Sequence, residues 1–269
     1  MARRTRGSEF YEVDSGTVEI RWEGTRATLF LEGIESSCID TARPEQLEFE
    51  YMQHMTCAVK CLFDADQPIR VIHLGGAGCA LPSAWSLLFP RSRQTVVEID
   101  AALAAGVRNW LDLPRSSALS IRVGDAREVL ESLRRESCQI IVRDAFDAGR
   151  VPDHLVTVEC AQIACDRLRD SGLYIVNAAH GAGEDARREA VSLREVFPGV
   201  VTIADPKVGR SGRRGNVVIV AHKAPAGAYP IADLDRELRR LPLPARATSG
   251  AALGKWCAGA RPLFDVAPA

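Results

Sequence analysis

The sequence predicts a doubly wound α/β domain with a mainly parallel, seven-stranded sheet, preceded by a small antiparallel β region. Three observations lead there. From Pro68 to His222, apolar β-branched runs alternate with segments of helical period. Those runs are apolar along most of their length, as strands covered on both faces are. The β-prone runs before Asp40 are instead joined by a Glu23-Gly24 turn signal. The chain divides accordingly into a β region (1–43), a main domain (44–223) and an extension (224–269).

Each element has its own warrant. Thr17, Val18, Ile20 and Trp22, then Ala27, Leu29 and Leu31, lie in two short β-prone runs. Leu47, Tyr51, Met55, Ala58 and Leu62 recur at helical spacing behind Pro44 and predict a helix over 44–63. Strands are predicted over 69–74, 94–100, 118–125, 138–146, 172–179, 200–205 and 216–222, with helices over 79–89, 101–113, 126–136, 154–170 and 184–197 between them. The Pro- and Ala-rich extension predicts one helix, 231–240, the rest wrapping the surface or remaining partly mobile.

Composition excludes several classes of function. Thirty-four basic and 35 acidic residues leave a net charge of −1, so no global field draws in nucleic acid or an anionic membrane. The opening MARRTRGSEF is basic without the apolar core of a signal peptide, and no stretch approaches the ~20 apolar residues of a membrane span, which predicts a cytoplasmic protein. The eight cysteines form no CxxC pair and no Cys/His cluster of zinc spacing. Cys57 and Cys61 lie one helical turn apart, but two soft ligands do not make a site, so reduced structural thiols and no metal are expected.

In doubly wound sheets ligands bind beyond the carboxyl ends of the strands, where the strand order switches. Four such ends are acidic or glycine-rich. In VIHLGGAGCALP, Gly75, Gly76 and Gly78 let the backbone turn tightly and approach a ligand. Leu81 and Pro82 stand where a dinucleotide fingerprint has its third glycine, which counts against NAD. Glu98 ends TVVEID about twenty residues further on, where a carboxylate can accept ribose hydroxyls. Asp125 in RVGDAREVL suits either a helix N-cap or a hydrogen bond from an adenine amine. Asp144 and Asp147 in RDAFD suit a cationic substrate or a proton to be moved. His73 and His180 lie on strands near this edge, and structural roles are expected for them.

The series GGxGxxL, VVEID, GDAREVL, RDAFD and GLYIVN resembles the spermidine synthase family of aminopropyltransferases, over residues 10 to 222. The resemblance implies an N-terminal β region before a Rossmann-like, class I methyltransferase-type domain that binds a nucleoside. It further implies decarboxylated S-adenosylmethionine or S-adenosylmethionine as co-substrate, a small amine as acceptor, and a homo-oligomer, dimer or tetramer. Carried over by position, Gly75, Gly76 and Gly78 line the sulfonium nucleoside, Glu98 holds the ribose, and Asp125 with Ala126 holds the adenine. Asp144 is the catalytic aspartate, Tyr51 the tyrosine of the entry helix, and Asp147 and Gln53 face the acceptor. Gln53 stands where the family usually has glutamate, and Gly78 where typical members carry an aspartate facing the donor's amine.

The loop ADPKVGRSGRRGN departs as well. Lys207, Arg210, Arg213 and Arg214 replace a neutral aromatic segment and suit either a solvated basic loop or an anionic or zwitterionic acceptor, with Arg213 and Arg214 in contact with it. Three functional readings follow from the sequence. They are aminopropyl or related alkyl transfer, methyl transfer from S-adenosylmethionine on the same scaffold, and a non-catalytic nucleoside-binding or oligomerisation module.

Overall fold

The first four strands, β1 (Arg6–Val13), β2 (Gly16–Glu23), β3 (Arg26–Leu31) and β4 (Ile34–Asp40), form an antiparallel meander in chain order. The computed structural model describes residues 6–76, 78–113, 118–147 and 149–266, so the basic opening residues 1–5, Ala77 of the glycine loop and the last three residues of the extension lie outside the described residues. Alternation drives the meander: Val18, Ile20, Trp22, Ala27 and Leu29 all point inward and are buried. The β1–β2 turn then docks on α3 (Ala101–Trp110): Asp14 accepts from the amides of Ala101 and Ala102, and Ser15 donates its amide and hydroxyl to Asp100 at 2.8 and 2.5 Å. Those are amides that a helix N-terminus leaves without an intrahelical partner.

The entry helix is shorter than its apolar spacing predicts. α1 runs Glu50–Lys60, because the chain reaches it through an extended Phe49, and Gln53 donates its side-chain amide to the Leu47 carbonyl at 2.6 Å. Leu47 and Phe49 still pack against the core, so the spacing is real while the backbone before Glu50 is not helical.

The main sheet has eight strands, one more than the seven the sequence predicts, in the order β12-β10-β11-β9-β8-β5-β6-β7. β5 (Arg70–Leu74), β6 (Arg93–Glu98), β7 (Leu119–Val123), β8 (Cys138–Arg143) and β9 (Leu168–His180) pair in parallel. β11 (Gly215–His222) runs antiparallel to β9, and β10 (Gly199–Ala204) antiparallel to β11. The additional β12 (Arg246–Thr248) has three residues and no alternation to reveal it; it exists as a strand because it pairs with the otherwise open edge of β10.

On one face, α1, α2 (Ala80–Leu88), α3 and α7 (Ile231–Leu238) join the N-terminal sheet around a core containing Trp85, Met55 and Leu111. On the other lie α4 (Ala126–Ser132), α5 (Val158–Arg167), α6 (Ala186–Arg194) and α8 (Gly250–Trp256). The helix predicted over 154–170 begins only at Val158, where Thr157 caps it, and ends at Arg167, where β9 starts. α8 was not expected from the sequence. Beyond it the extension wraps the surface: Leu263 accepts from the Val158 amide and donates to Ser192, and Asp265 accepts from Arg127 and Thr157.

Candidate active site

β5 sits at the middle of the parallel segment, with β6 and β7 on one side and β8 and β9 on the other, so the switch in strand order falls between β5 and β8. Gly75 leaves β5 with φ +87°, and a Cβ there would stand 2.5 Å from the Asp144 carbonyl and 2.7 Å from the Ala145 Cα. Only glycine lets the two strand ends close up this way. The ladder continues past the strands: Gly75 donates to Val97, and Asp144 donates to Leu74, both at 2.9 Å. A side chain at Gly76 would run into Val96. The first two predicted loop glycines are therefore sterically required, and they bring the glycine turn against Asp144.

Asp144 is half-buried and held by two neutral donors. Tyr51 on α1 donates its hydroxyl to Oδ2 at 2.8 Å, and Asn177 on β9 donates its amide to Oδ1 at 2.9 Å. Burial pushes the Asp144 carboxyl above its ordinary value, while Asn177, Tyr51 and the neighbouring Arg143 pull the other way. The Tyr51 phenol is raised well above its ordinary value by burial and by the Asp144 charge. Tyr51 thus remains a proton donor to a carboxylate whose proton affinity is increased. Behind this group Arg143, fully buried, pairs with Glu189 of α6 on the opposite face of the sheet.

The other predicted residues are placed less uniformly. Glu98 ends β6, half-buried, and accepts the Asp100 amide at 3.1 Å. Asp125 is the N-cap of α4: Oδ1 accepts from the amides of Arg127 and Glu128 at 2.8 and 3.0 Å, and Oδ2 from His154 at 3.0 Å. Burial raises the Asp125 carboxyl, but the amides and His154 outweigh it and hold it below its ordinary value. The cap role anticipated for Asp125 is present, leaving part of Oδ2 for any other donor. Ala126 begins α4 and is buried beside it.

Asp147 is exposed on the loop after β8, where its backbone pairs with that of Arg150. Gln53 does not join the Asp144 cluster, since its amide is bound to Leu47. Arg214 reaches the Gly149 carbonyl of the same loop at 3.5 Å, and Arg213 lies 3.7 Å from Asp205. The basic loop therefore touches the loop that carries Asp147.

His73 is 2% exposed and hydrogen-bonded to Gln94 at 2.7 Å, and burial pushes its ring down to about 4, a structural histidine. His180 packs edge-on against Trp256. Burial pushes the Cys57 and Cys61 thiols up to about 11, and among the described residues no group of three or more His, Cys, Asp and Glu side chains is disposed to hold a metal ion.

Asn177 has no role that the sequence marks beyond its place as the polar residue closing the apolar run GLYIVN. Ile99 and Val123, which follow Glu98 and end β7, respectively, are likewise unmarked by any motif. Both remain largely exposed, at 69% and 52%, and form an apolar surface beside the Glu98 carboxylate that a flat ring could cover.

No family model matches the chain. Among solved structures it is similar to a probable spermidine synthase from Corynebacterium glutamicum, at 31% identity and a TM-score of 0.89, over 97% of this chain and 98% of that one. Its fold is also similar to that of human methyltransferase-like protein 13 in complex with SAH, at 18% identity and a TM-score of 0.58, over 72% and 94% of the two chains. A polyamine aminopropyltransferase of Vibrio vulnificus is 26% identical over 149 residues, 55% of this chain and 50% of the relative, so the match spans half the length of that relative.

Proposed function

The chain belongs to the spermidine synthase family, and from that premise we propose that it transfers an aminopropyl group from decarboxylated S-adenosylmethionine to a small amine. The observation that carries the reading is Asp144, pinned between Tyr51 and Asn177 against the glycine turn. The acceptor nitrogen attacks the carbon next to sulfur, a C–N bond forms as the C–S bond breaks, and the electron pair leaves with sulfur as methylthioadenosine. The nitrogen must be neutral to attack, and Asp144 takes or orients the proton it sheds, while alignment of nitrogen, carbon and sulfur supplies much of the acceleration. Tyr51 and Asn177 hold the carboxylate in place and leave it lone pairs for the amine.

In this proposal Gly75, Gly76 and Gly78 carry the donor, Glu98 holds its ribose, and Ile99 and Val123 flank its base, with Ala126 and the free part of Asp125 at the base edge. The catalytic unit is 44–223, closed by the β region and the extension. Asp147 and the arginines at 213 and 214 receive the acceptor, whose other end is zwitterionic or anionic. Charge reversal at Arg213 and Arg214 that left acceptor affinity unchanged would remove that part. We further infer a homo-oligomer, dimer or tetramer, in the cytoplasm; no helix among the described residues is long and apolar enough to cross a membrane.

Gly78, which brings no acid to the donor loop, favours methyl transfer from full S-adenosylmethionine as the second reading. Incubation with each donor and an amine panel separates the two by mass: methylthioadenosine supports aminopropyl transfer, S-adenosylhomocysteine methylation. Neither product, with no nucleoside binding by calorimetry, defeats both.

A further inference from the structure

The segment that follows α8 forms neither helix nor strand, yet it is tied to three helices in turn. Leu263 donates its amide to the Ser192 hydroxyl of α6 at 2.9 Å, and its carbonyl accepts the Val158 amide of α5 at 2.8 Å. That amide is one that a helix N-terminus leaves without an intrahelical partner. Asp265 then gathers the remaining contacts. Thr157, the cap of α5, donates its hydroxyl to Oδ1 at 2.7 Å, Arg127 of α4 donates to Oδ2 at 2.9 Å, and Glu159 accepts the Asp265 amide at 2.9 Å. Arg127, with a side chain only 14% exposed, passes the grip on: its Nη1 donates to the His154 carbonyl at 2.8 Å. His154 lies in the short 3-10 turn Asp153–Leu155, and its Nε2 stands 3.0 Å from Oδ2 of Asp125.

We propose that Asp265, Arg127 and His154 are positioning residues for the nucleoside: the C-terminal segment clasps the turn, the turn holds His154 on Asp125, and Asp125 is thereby aimed at the exocyclic amine of the donor's base. The inference rests on the donor site proposed above, with the base edge at Asp125. The two α4 amides both bind Oδ1, so they leave the carboxylate able to pivot about that oxygen. The contact from His154 to Oδ2 removes the pivot and fixes which lone pairs stay open. A carboxylate accepts from a ring amine and repels a ring carbonyl, so a fixed Oδ2 separates adenine from hypoxanthine, and a loosened one separates them less. Selectivity for the base is therefore set in part by a residue 138 positions along the chain from Arg127.

The test measures binding of methylthioadenosine and methylthioinosine by calorimetry, with hydrogen exchange of the amides of residues 153–157, for the wild type, Asp265→Ala, Asp265→Glu and His154→Ala. The wild type is expected to prefer methylthioadenosine by about tenfold or more, the worth of one hydrogen bond to a charged group. Asp265→Ala should speed exchange in the turn and lose most of that preference, through weaker binding of methylthioadenosine rather than of methylthioinosine. Asp265→Glu, which keeps the carboxylate, should regain much of it. His154→Ala removes only a half-exposed side chain, so it tests the same step in a chain whose clasp is intact, and it should lose the preference as well. A His154→Ala variant that keeps the wild-type preference, or an Asp265→Ala variant whose turn exchanges faster while the preference stands, overturns the proposal. Equal weakening of both nucleosides in Asp265→Ala overturns it too, because a merely structural role would act on both alike. Failure of the wild type to bind methylthioadenosine would instead remove the donor site itself, and this inference with it.

Discussion

The carboxylates at the ends of β7 and β8 lie on one edge of one sheet and are held in opposite ways. Asp125 receives two backbone amides and a histidine, and is held below its ordinary value despite burial. Asp144 receives, among the described residues, two neutral side chains, and burial raises it. A carboxylate that caps a helix is committed to its charged form by groups the fold cannot withdraw. One held by Tyr51 and Asn177 keeps its charge in question, which is what an acceptor of protons needs. Between two acids of the same type, the surroundings decide which one is suited to move a proton.

The strongest way to break this contrast is Asp144→Asn. Turnover is expected to fall about 10²- to 10⁴-fold, the usual contribution of a general base, with methylthioadenosine affinity nearly unchanged. Unaltered product formation would show that proton handling lies elsewhere. The support behind Asp144 comes next. Glu189→Gln leaves Arg143 fully buried without its anion, and arginine cannot shed its charge. Loss of about 3–5 kcal/mol in urea unfolding is expected. Replacing both partners by apolar residues should recover much of it.

Acid sharpens the comparison further. His54 and His73 are both buried and pushed down to about 4 from 6.5. As pH falls from about 6.5 to 4, the unfolded chain takes up protons that the folded rings refuse. Stability is therefore full above that window and declines within it, by about 3 kcal/mol per ring at most. Asp125, whose value is lowered, loses its stabilising hydrogen bonds only at still lower pH. Melting temperatures of wild type and a His54→Gln/His73→Gln variant between pH 7 and 4 check this: the variant should lose much of the slope. The smallest effect belongs to the cap. Asp125→Ala should cost about 1 kcal/mol, and Asp125→Ser should restore most of it. Equal loss of nucleoside affinity in both variants would show that the carboxylate also touches the donor.

Much of this was legible in the sequence, for a local reason. Burial repeats every second residue along a strand and every third or fourth along a helix, so the alternating elements from Arg70 to His222 and the inward side chains of β2 and β3 follow from spacing alone. The glycines after β5 and the acids after β6, β7 and β8 likewise mark strand ends wherever those ends meet in space. β12 had no periodicity to show, and three residues become a strand only beside an unpaired edge. The site's internal wiring was hidden for the same reason. Tyr51 and Asn177 reach Asp144 from 93 and 33 residues away, His154 reaches Asp125 from 29, and Ser37 closes on Gly78 from another sheet. Residue types and spacing determined that this protein would carry a glycine turn ringed by carboxylates. Which carboxylate is held by neutral donors, and which glycine has no room to become anything else, was decided only by the order of the strands, because that order sets the neighbours from which each group takes its hydrogen bonds and its space.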